Sequence, residues 1–242
     1  QITVACNFKR GNTCGNERAG KVKEELNLAG IKCVQIDFRR GVAGIWRNLM
    51  ALIQLIRLTG KEKFSFLHCQ SPIGGVCGRI AGIFSKTKVI YTAHGFHFFE
   101  GGSSFGWKVV YPLEKLLSRR TDVLITINRE DEAIARTTMH AGKTVYIPGI
   151  GLERERFMMP LHDKVRIREE IRSEWGIPEE SFVLLPVGEL CTRKNQKILI
   201  EALGLLKQKL PEERMINLKL ILSGEGDQKE KLWDLAGELG IQ

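Results

Sequence analysis

The sequence predicts an α/β chain with two Rossmann-like parallel-sheet domains, on three observations. Short runs rich in Val, Ile, Leu and Phe recur along its 242 residues. Segments with helical spacing of apolar residues separate most of them, and this alternation breaks once, between about residues 150 and 181. Strands apolar on both faces, alternating with helices, form parallel sheets covered on each side.

In chain order, the expected strands are ITVACN, KCVQIDF, FSFLHC, KVIYTA, DVLITI, TVYIP, FVLLPVG and LKLILS. Helices are expected over 17–29, 45–58, 74–85, 105–119 and 129–139. The second, IWRNLMALIQLIRL, leaves Arg47, Asn48, Gln54 and Arg57 as a narrow polar stripe, so it should pack on the sheet. The stretch IGLERERFMMPLHDKVRIREEIRSEWGIPEES reads as a charged, Pro-marked connector with one amphipathic helix. Domains are therefore expected over 1–155 and 160–242, the second holding two strands. The chain starts at Gln1 and stops at LGIQ, which reads as a piece of something longer.

The formal charge of +9 points to an anionic partner. By charge alone nucleic acid, an anionic leaflet and a phosphorylated small molecule all qualify. Lys and Arg are spread along the chain without a nucleic-acid-binding motif, so no nucleic acid is expected. No apolar run approaches the roughly 18 to 20 residues of a spanning helix, and no secretory signal opens the chain, so the expected location is the cytosol. The cysteines (Cys6, Cys14, Cys33, Cys69, Cys77, Cys191) have neither C-x-x-C nor Cys/His metal spacing and are expected as reduced, mostly buried thiols.

Ligands of open parallel sheets bind beyond the carboxyl ends of the strands. FSFL leads there to His68, Gln70, Ser71 and Gly74, and KVIYTA to His94, Gly95 and His97. FVLLPV leads to Gly188 and Glu189, and LKLIL to Ser223, Gly224, Glu225, Gly226 and Asp227. If the two sheet edges face each other they make a cleft. Each cluster also has a plain structural reading. A post-strand histidine often caps a helix, and G-x-G permits a tight turn. As an alternative, backbone N–H groups at a helix N-terminus cradle phosphate. Arg193 and Lys194, in TRKN, are either a solvated turn or part of that edge. Two histidines at i, i+3 without a third ligand nearby do not make a metal site.

HCQSPIGGVCGRIAG, YTAHGFHFFEGGS, YPLEKLLSRRTDVLITINREDEAIA, YIPGIGLERERF, VGELCTRKNQKILIEAL and LILSGEGDQKEKLWDLAGELGI together resemble the GT-B glycosyltransferases of family 4, in the branch that builds exopolysaccharide and capsule repeat units. AHGFHFF with ITINREDE carries the branch resemblance; VGEL…KN and GEG belong to the wider family.

The resemblance implies retaining, metal-independent transfer of a sugar from a nucleotide-sugar, most often a UDP-sugar, to a polyprenyl-diphosphate-linked saccharide at the cytoplasmic membrane face, with no cofactor. It makes 1–155 the acceptor-side domain, lacking its first strand, and 160–242 an incomplete donor domain. His94 would face the donor sugar, and His68, Ser71, Gly74, Gly95 and His97 would lie on the acceptor side. Lys194, Arg193, Gly188, Gly224, Glu225 and Gly226 would receive the diphosphate. Glu189 departs from the Arg common at its position and would repel that group, unless Arg193 compensates. The family's E-x7-E pair would lie beyond Gln242. A nucleotide-sugar epimerase-like enzyme, using carboxylates such as Asp37, Glu100 or Glu189, and a non-catalytic basic α/β module are the alternatives. An anionic membrane surface is an expected partner, through WKVVYPLEKLLSRR.

Overall fold

The computed structural model describes residues 1–9, 15–39, 44–149 and 151–242, so Cys14 lies outside the described residues. It divides into two compact units, Gln1–Leu152 and Glu153–Gln242. In the first, β1 (Thr3–Cys6), α1 (Asn16–Leu28) and β2 (Lys32–Gln35) make a parallel pair. After α2 (Ile45–Lys61), β3 (Phe66–Cys69), α3 (Pro72–Ser85), β4 (Lys88–Ala93), α4 (Tyr111–Ser118), β5 (Val123–Thr126), α5 (Arg129–Thr138) and β6 (Lys143–Tyr146) follow. These four strands form one parallel sheet in chain order. Right-handed crossovers between chain-order neighbours place α3, α4 and α5 on one face. There Tyr91, Ala93, Phe96, Phe98, Leu124, Ala135 and Met139 form a core.

Helix α3 explains its glycine-rich sequence. Its Gly75, Gly78 and Gly82 lie three and four residues apart, on one stripe. A Cβ at these positions would run into the Tyr91 ring, the Cys69 sulfur and the Val89 side chain respectively. The helix thus lies closer to β3 and β4 than any side chain there would allow. Arg79, 1% exposed, emerges beside that stripe and meets Glu114 of α4 through two bonds of 2.8 and 3.0 Å.

Three expectations need correction. Helix α2 packs chiefly on α3, with Leu55 against Cys77 and Ala81, not on the sheet. Its Asn48 and Gln54 are no solvent stripe: Asn48 brackets the backbone of Arg39, and Gln54 holds Asp37. The helix expected over 105–119 begins as a π-helical turn, Gly106–Val110. Pro112 lacks the N–H a regular turn would use there, and the Tyr111 N–H bonds back to Gly106. Among the described cysteines only Cys77 is buried; Cys6, Cys33, Cys69 and Cys191 are half-buried free thiols.

In the second unit, α6 (Arg154–Phe157) and α7 (Leu161–Glu174) precede β7 (Phe182–Leu184), α8 (Lys197–Lys209), α9 (Glu212–Ile216), β8 (Leu218–Leu220) and α10 (Lys229–Glu238). Helix α7 is not the amphipathic packing helix expected, since none of its residues is buried. Ion pairs such as Arg166–Glu170 (2.7 Å) line its surface, and Arg172 anchors its end on the carbonyls of Pro178, Glu179 and Ser181. Strands β7 and β8 are parallel, and Leu190, Ile200 and Leu232 form the core beside them.

Candidate active site

His68 lies within β3 and not after it, because pairing with β4 continues to Cys69↔Tyr91. In a parallel ladder that pairing sets the His68 side chain near Thr92, and its Nε2 is 2.9 Å from the Thr92 hydroxyl. Gln70 follows, with Nε2 2.9 Å from His68 Nε2 and Oε1 2.9 Å from His94 Nε2. Thr92, His68, Gln70 and His94 therefore form a continuous polar chain across the carboxyl ends of β3 and β4. Burial, and secondarily the nearby His94, hold the His68 pKa below the ordinary histidine value.

Ser71 caps α3: its Oγ accepts from the Gly74 N–H at 3.1 Å, and a Cβ on Gly74 would crowd that oxygen. The two residues thus have a structural task that accounts for the pairing of serine with glycine. Gly95 has φ +135°, a conformation that favours glycine, and it turns the chain out of β4 so that His94 and His97 are exposed.

The loop that carries these histidines is held by α5. Asn128 caps that helix by accepting from the Asp131 N–H at 2.8 Å. Asp131, 3% exposed, accepts from the Asn128 side chain (2.7 Å) and from the Phe96 N–H (3.1 Å). Glu130 accepts from the Glu100 N–H (3.1 Å). Below, Phe96 stacks on Phe98, and Phe98 packs on Trp107 and Tyr111. A Cβ on Gly106 would overlap the His97 carbonyl. Asp131 escaped the sequence reading because it acts by positioning another group, the Phe96 N–H.

In the second unit the two post-strand segments lie together. Beyond Pro186 pairing resumes as Val187↔Ser223, and the Leu190 N–H donates to the Glu225 carbonyl at 2.9 Å. A Cβ on Gly224 would meet the Gly188 carbonyl, and one on Gly226 the Leu190 carbonyl. Close backbone approach thus accounts for G-x-G, and α10 starts only at Lys229. Arg193 and Lys194 lie on a 3-10 turn, Thr192–Lys194, ended by Asn195 at φ +53°. Gln196 fastens it to the Glu189 carbonyl at 2.9 Å. Arg193 reaches Glu189 only at 3.9 Å, in the open. Asp37 is engaged elsewhere, where hydrogen bonds from Gln54 and then Gln35 hold its pKa below the ordinary range.

Two family models match the chain: "Glycosyl transferase 4-like" over residues 13–128 and "Glycosyl transferases group 1" over residues 167–242. EpsD of Bacillus subtilis (strain 168), itself provisionally named a glycosyltransferase, is 40% identical over 200 residues, covering 80% of this chain and 50% of that protein. The Escherichia coli UDP-Gal:alpha-D-GlcNAc-diphosphoundecaprenol alpha-1,3-galactosyltransferase is 33% identical over 160 residues, covering 64% of this chain and 40% of that one. The chain thus spans half or less of the length of these curated relatives. Among solved structures, Anabaena Alr3699/HepE in complex with UDP and glucose has a TM-score of 0.70 at 18% identity, covering all of this chain and 67% of its own. Sucrose-phosphate synthase from Thermosynechococcus elongatus has a TM-score of 0.71 at 15% identity, covering all of this chain and 68% of its own.

Proposed function

Because the chain belongs to the GT-B glycosyltransferases of the family 4 type, we propose that its protein moves a sugar from a UDP-sugar to a polyprenyl-diphosphate-linked saccharide, with retention of configuration, in exopolysaccharide or capsule synthesis. The observation that carries this reading is that the two family matches take in every candidate site residue: His68, Ser71, Gly74, His94, Gly95 and His97 in one, Gly188, Arg193, Lys194, Gly224, Glu225 and Gly226 in the other. The donor and acceptor classes follow the name of the Escherichia coli relative.

As the bond from the anomeric carbon to diphosphate breaks, negative charge grows on the leaving oxygen. Lys194 and Arg193 are the cations placed to meet it. The Arg193–Glu189 pair does not prevent this, since an exposed contact of 3.9 Å is worth only about 0 to 1 kcal/mol. Diphosphate can recruit the guanidinium at little cost. His94 presents its exposed imidazole to the donor sugar. The assay is incubation of the full-length protein with labelled UDP-sugars and an undecaprenyl-diphosphate-linked saccharide, with the product linkage read by NMR. Labelled lipid-linked product with retained configuration is expected; sugar epimerisation or release without lipid product would overturn the reading.

A lipid-linked acceptor places the enzyme at the inner face of the membrane. Among the described residues no helix is long and apolar enough to cross one. In the segment expected to dock, the aromatics also pack within the fold. Trp107 and Tyr111 pack inward on Phe98, and the Trp107 indole N–H donates to the Phe99 carbonyl. Phe105, Trp107, Val109, Leu113 and Leu116 are the exposed apolar groups, flanked by Lys108, Arg119 and Arg120. Aspartate at Phe105 and Leu116 should abolish flotation with anionic vesicles at low salt. Flotation unchanged by these substitutions would exclude this surface.

A further inference from the structure

We propose that the start of α2 is a second membrane contact, where Trp46 and its apolar neighbours enter the interface of an anionic leaflet and Arg39 and Arg47 meet its lipid phosphates. This rests on the reading of the acceptor as lipid-linked. One side of α2 is already used, since Ala51, Leu55 and Thr59 are buried and the helix packs on α3. The other side opens with Ile45, Trp46, Leu49 and Met50, all exposed. Ile45 with Leu49 and Trp46 with Met50 are pairs four residues apart, so the four share one face. Trp46 is 80% exposed and leaves most of its indole in water, an apolar area that is stabilising only once something covers it.

The charges beside the patch say what covers it. The first turn of α2 holds no acid, and Arg47 stands there instead, at the positive end of the helix dipole. Arg39 is fixed at the same end. Its backbone N–H and carbonyl are both bonded by the Asn48 amide, at 2.8 and 2.9 Å, and its stem lies against the N-cap Gly44, where a Cβ would come within 2.9 Å of it. Lys9 joins them: bonds from Gln54 and then Gln35 lower the Asp37 pKa most, and Lys9 and Arg47 lower it further from nearby. Against these three cations Asp37 supplies one negative charge, and its two oxygens are taken by Gln35 and Gln54 at 2.8 Å each. Cations gathered at the positive end of a helix repel that end and one another, so an anion outside the chain stabilises the arrangement. A second copy docked through this patch would press like charges together. A leaflet offers phosphates beside an apolar layer, which matches both halves of the patch.

Its place in the fold agrees. The Cys77 thiol lies 3.9 Å from the Asn48 carbonyl and Leu55 packs on Cys77 and Ala81, so α2 and α3 run in the same sense. α3 is joined in turn to α4 by the Arg79–Glu114 pair. Each of these helices follows the carboxyl end of a strand, so the start of α2 and the exposed Phe105 and Val109 ahead of α4 lie toward the edge of the first unit that carries His94. Two contacts on one unit bind a surface more firmly than either alone, because the second engages at high effective concentration.

The test uses Trp46 of the full-length protein as reporter, its fluorescence taken as the difference between the unsubstituted protein and Trp46→Phe. Without vesicles that emission should be water-like and readily quenched by acrylamide. A shielded Trp46 in the vesicle-free protein would overturn the proposal, because another part of the chain would then cover the patch. Vesicles of phosphatidylglycerol and phosphatidylcholine should shift the emission to the blue and bring quenching by bromine-labelled acyl chains, whereas phosphatidylcholine alone should do so far more weakly. No response to the anionic vesicles would overturn it. Trp46→Asp with Met50→Asp should weaken vesicle binding about tenfold or more. Arg39→Gln with Arg47→Gln should weaken it about 30-fold at low salt, roughly fivefold for each cation, and hardly at all at high salt. Both variants alter exposed side chains and should keep the circular dichroism and urea midpoint of the unsubstituted protein; folded variants that bind the vesicles as well as it does would overturn the contact. The vesicles hold no acceptor, so the outcome is separate from the transfer assay: binding through α2 by a protein that glycosylates no lipid-linked saccharide would leave this surface standing and overturn the acceptor reading.

Discussion

Replacing Asp131 by Ala removes the acceptor that holds the Phe96 N–H, and the structure says which part of the loss matters. Asn128 is exposed, so its freed amide turns to water at little cost. Phe96 is only 7% exposed, and its N–H is left without an acceptor. That costs about 1 to 3 kcal/mol. Loss of an acid from the first turn of α5 adds about 0.3 to 1 kcal/mol, opposed by relief of a buried charge. The unpaired amide dominates, and about 1 to 3 kcal/mol is expected. Hydrogen exchange at Phe96 should then accelerate about 5- to 150-fold, while amides of β5 change less. Asp131→Asn keeps an oxygen toward Phe96 and should cost less than half as much in urea unfolding. Burial raises the Asp131 pKa over the opposing bonds from Asn128 and Phe96. A carboxyl with a raised folded-state pKa contributes stability that is full below its unfolded value and lost as pH rises through the folded one. The stability of the unsubstituted protein relative to Asp131→Asn should therefore fall as pH climbs from about 4. Equal cost for Ala and Asn, or unchanged exchange at Phe96, would refute the clamp.

Lys194→Ala should weaken UDP binding by about 1.5 to 3 kcal/mol, the range for hydrogen bonds to charged groups, and calorimetry showing equal affinity would shift the role to Arg193. His94→Ala should lower kcat/KM by about 100-fold or more, whereas alanine at His140 or His162 should leave it nearly unchanged; a loss below about threefold at His94 rejects its assignment. Glu114→Gln strands the buried Arg79 guanidinium and should cost about 3 to 5 kcal/mol by urea unfolding, with Arg79→Met plus Glu114→Leu restoring most of it; a single-substitution cost under about 1 kcal/mol would contradict the pairing.

The eight expected strands were legible because short runs rich in Val, Ile, Leu and Phe, alternating with helix-spaced segments, are local signals. What was not legible depended on partners distant in sequence. Asn48 and Gln54 look like a solvated stripe until the loop after β2 arrives to use them. α7 has apolar residues at plausible spacings, but none of them is buried, and its ion pairs and the Arg172 anchor hold it instead. The π-turn at Gly106–Val110 could not be counted from apolar spacing, since one extra residue per turn shifts every following side chain by a position.

The site divides in the same way. Strand ends marked out His94, Gly188 and the GEG run without any partner being known. The motifs themselves mix chemistry with packing, and only the structure separates the two. In HCQSPIGGVCGRIAG the glycines of α3 admit Tyr91, Cys69 and Val89, and Ser71 with Gly74 is a helix cap, leaving His68 and Gln70 as the residues whose side chains join the polar chain to Thr92 and His94. AHGFHFF and ITINREDE are distant in the chain yet form one device, because Asp131 and Glu130 supply the acceptors for Phe96 and Glu100. Substitution in one motif should therefore be felt in the other. An Asp131→Ala, His94→Ala double-mutant cycle in the transferase assay should show strong non-additivity, since Asp131 can affect the reaction through this loop only while His94 is there to be positioned.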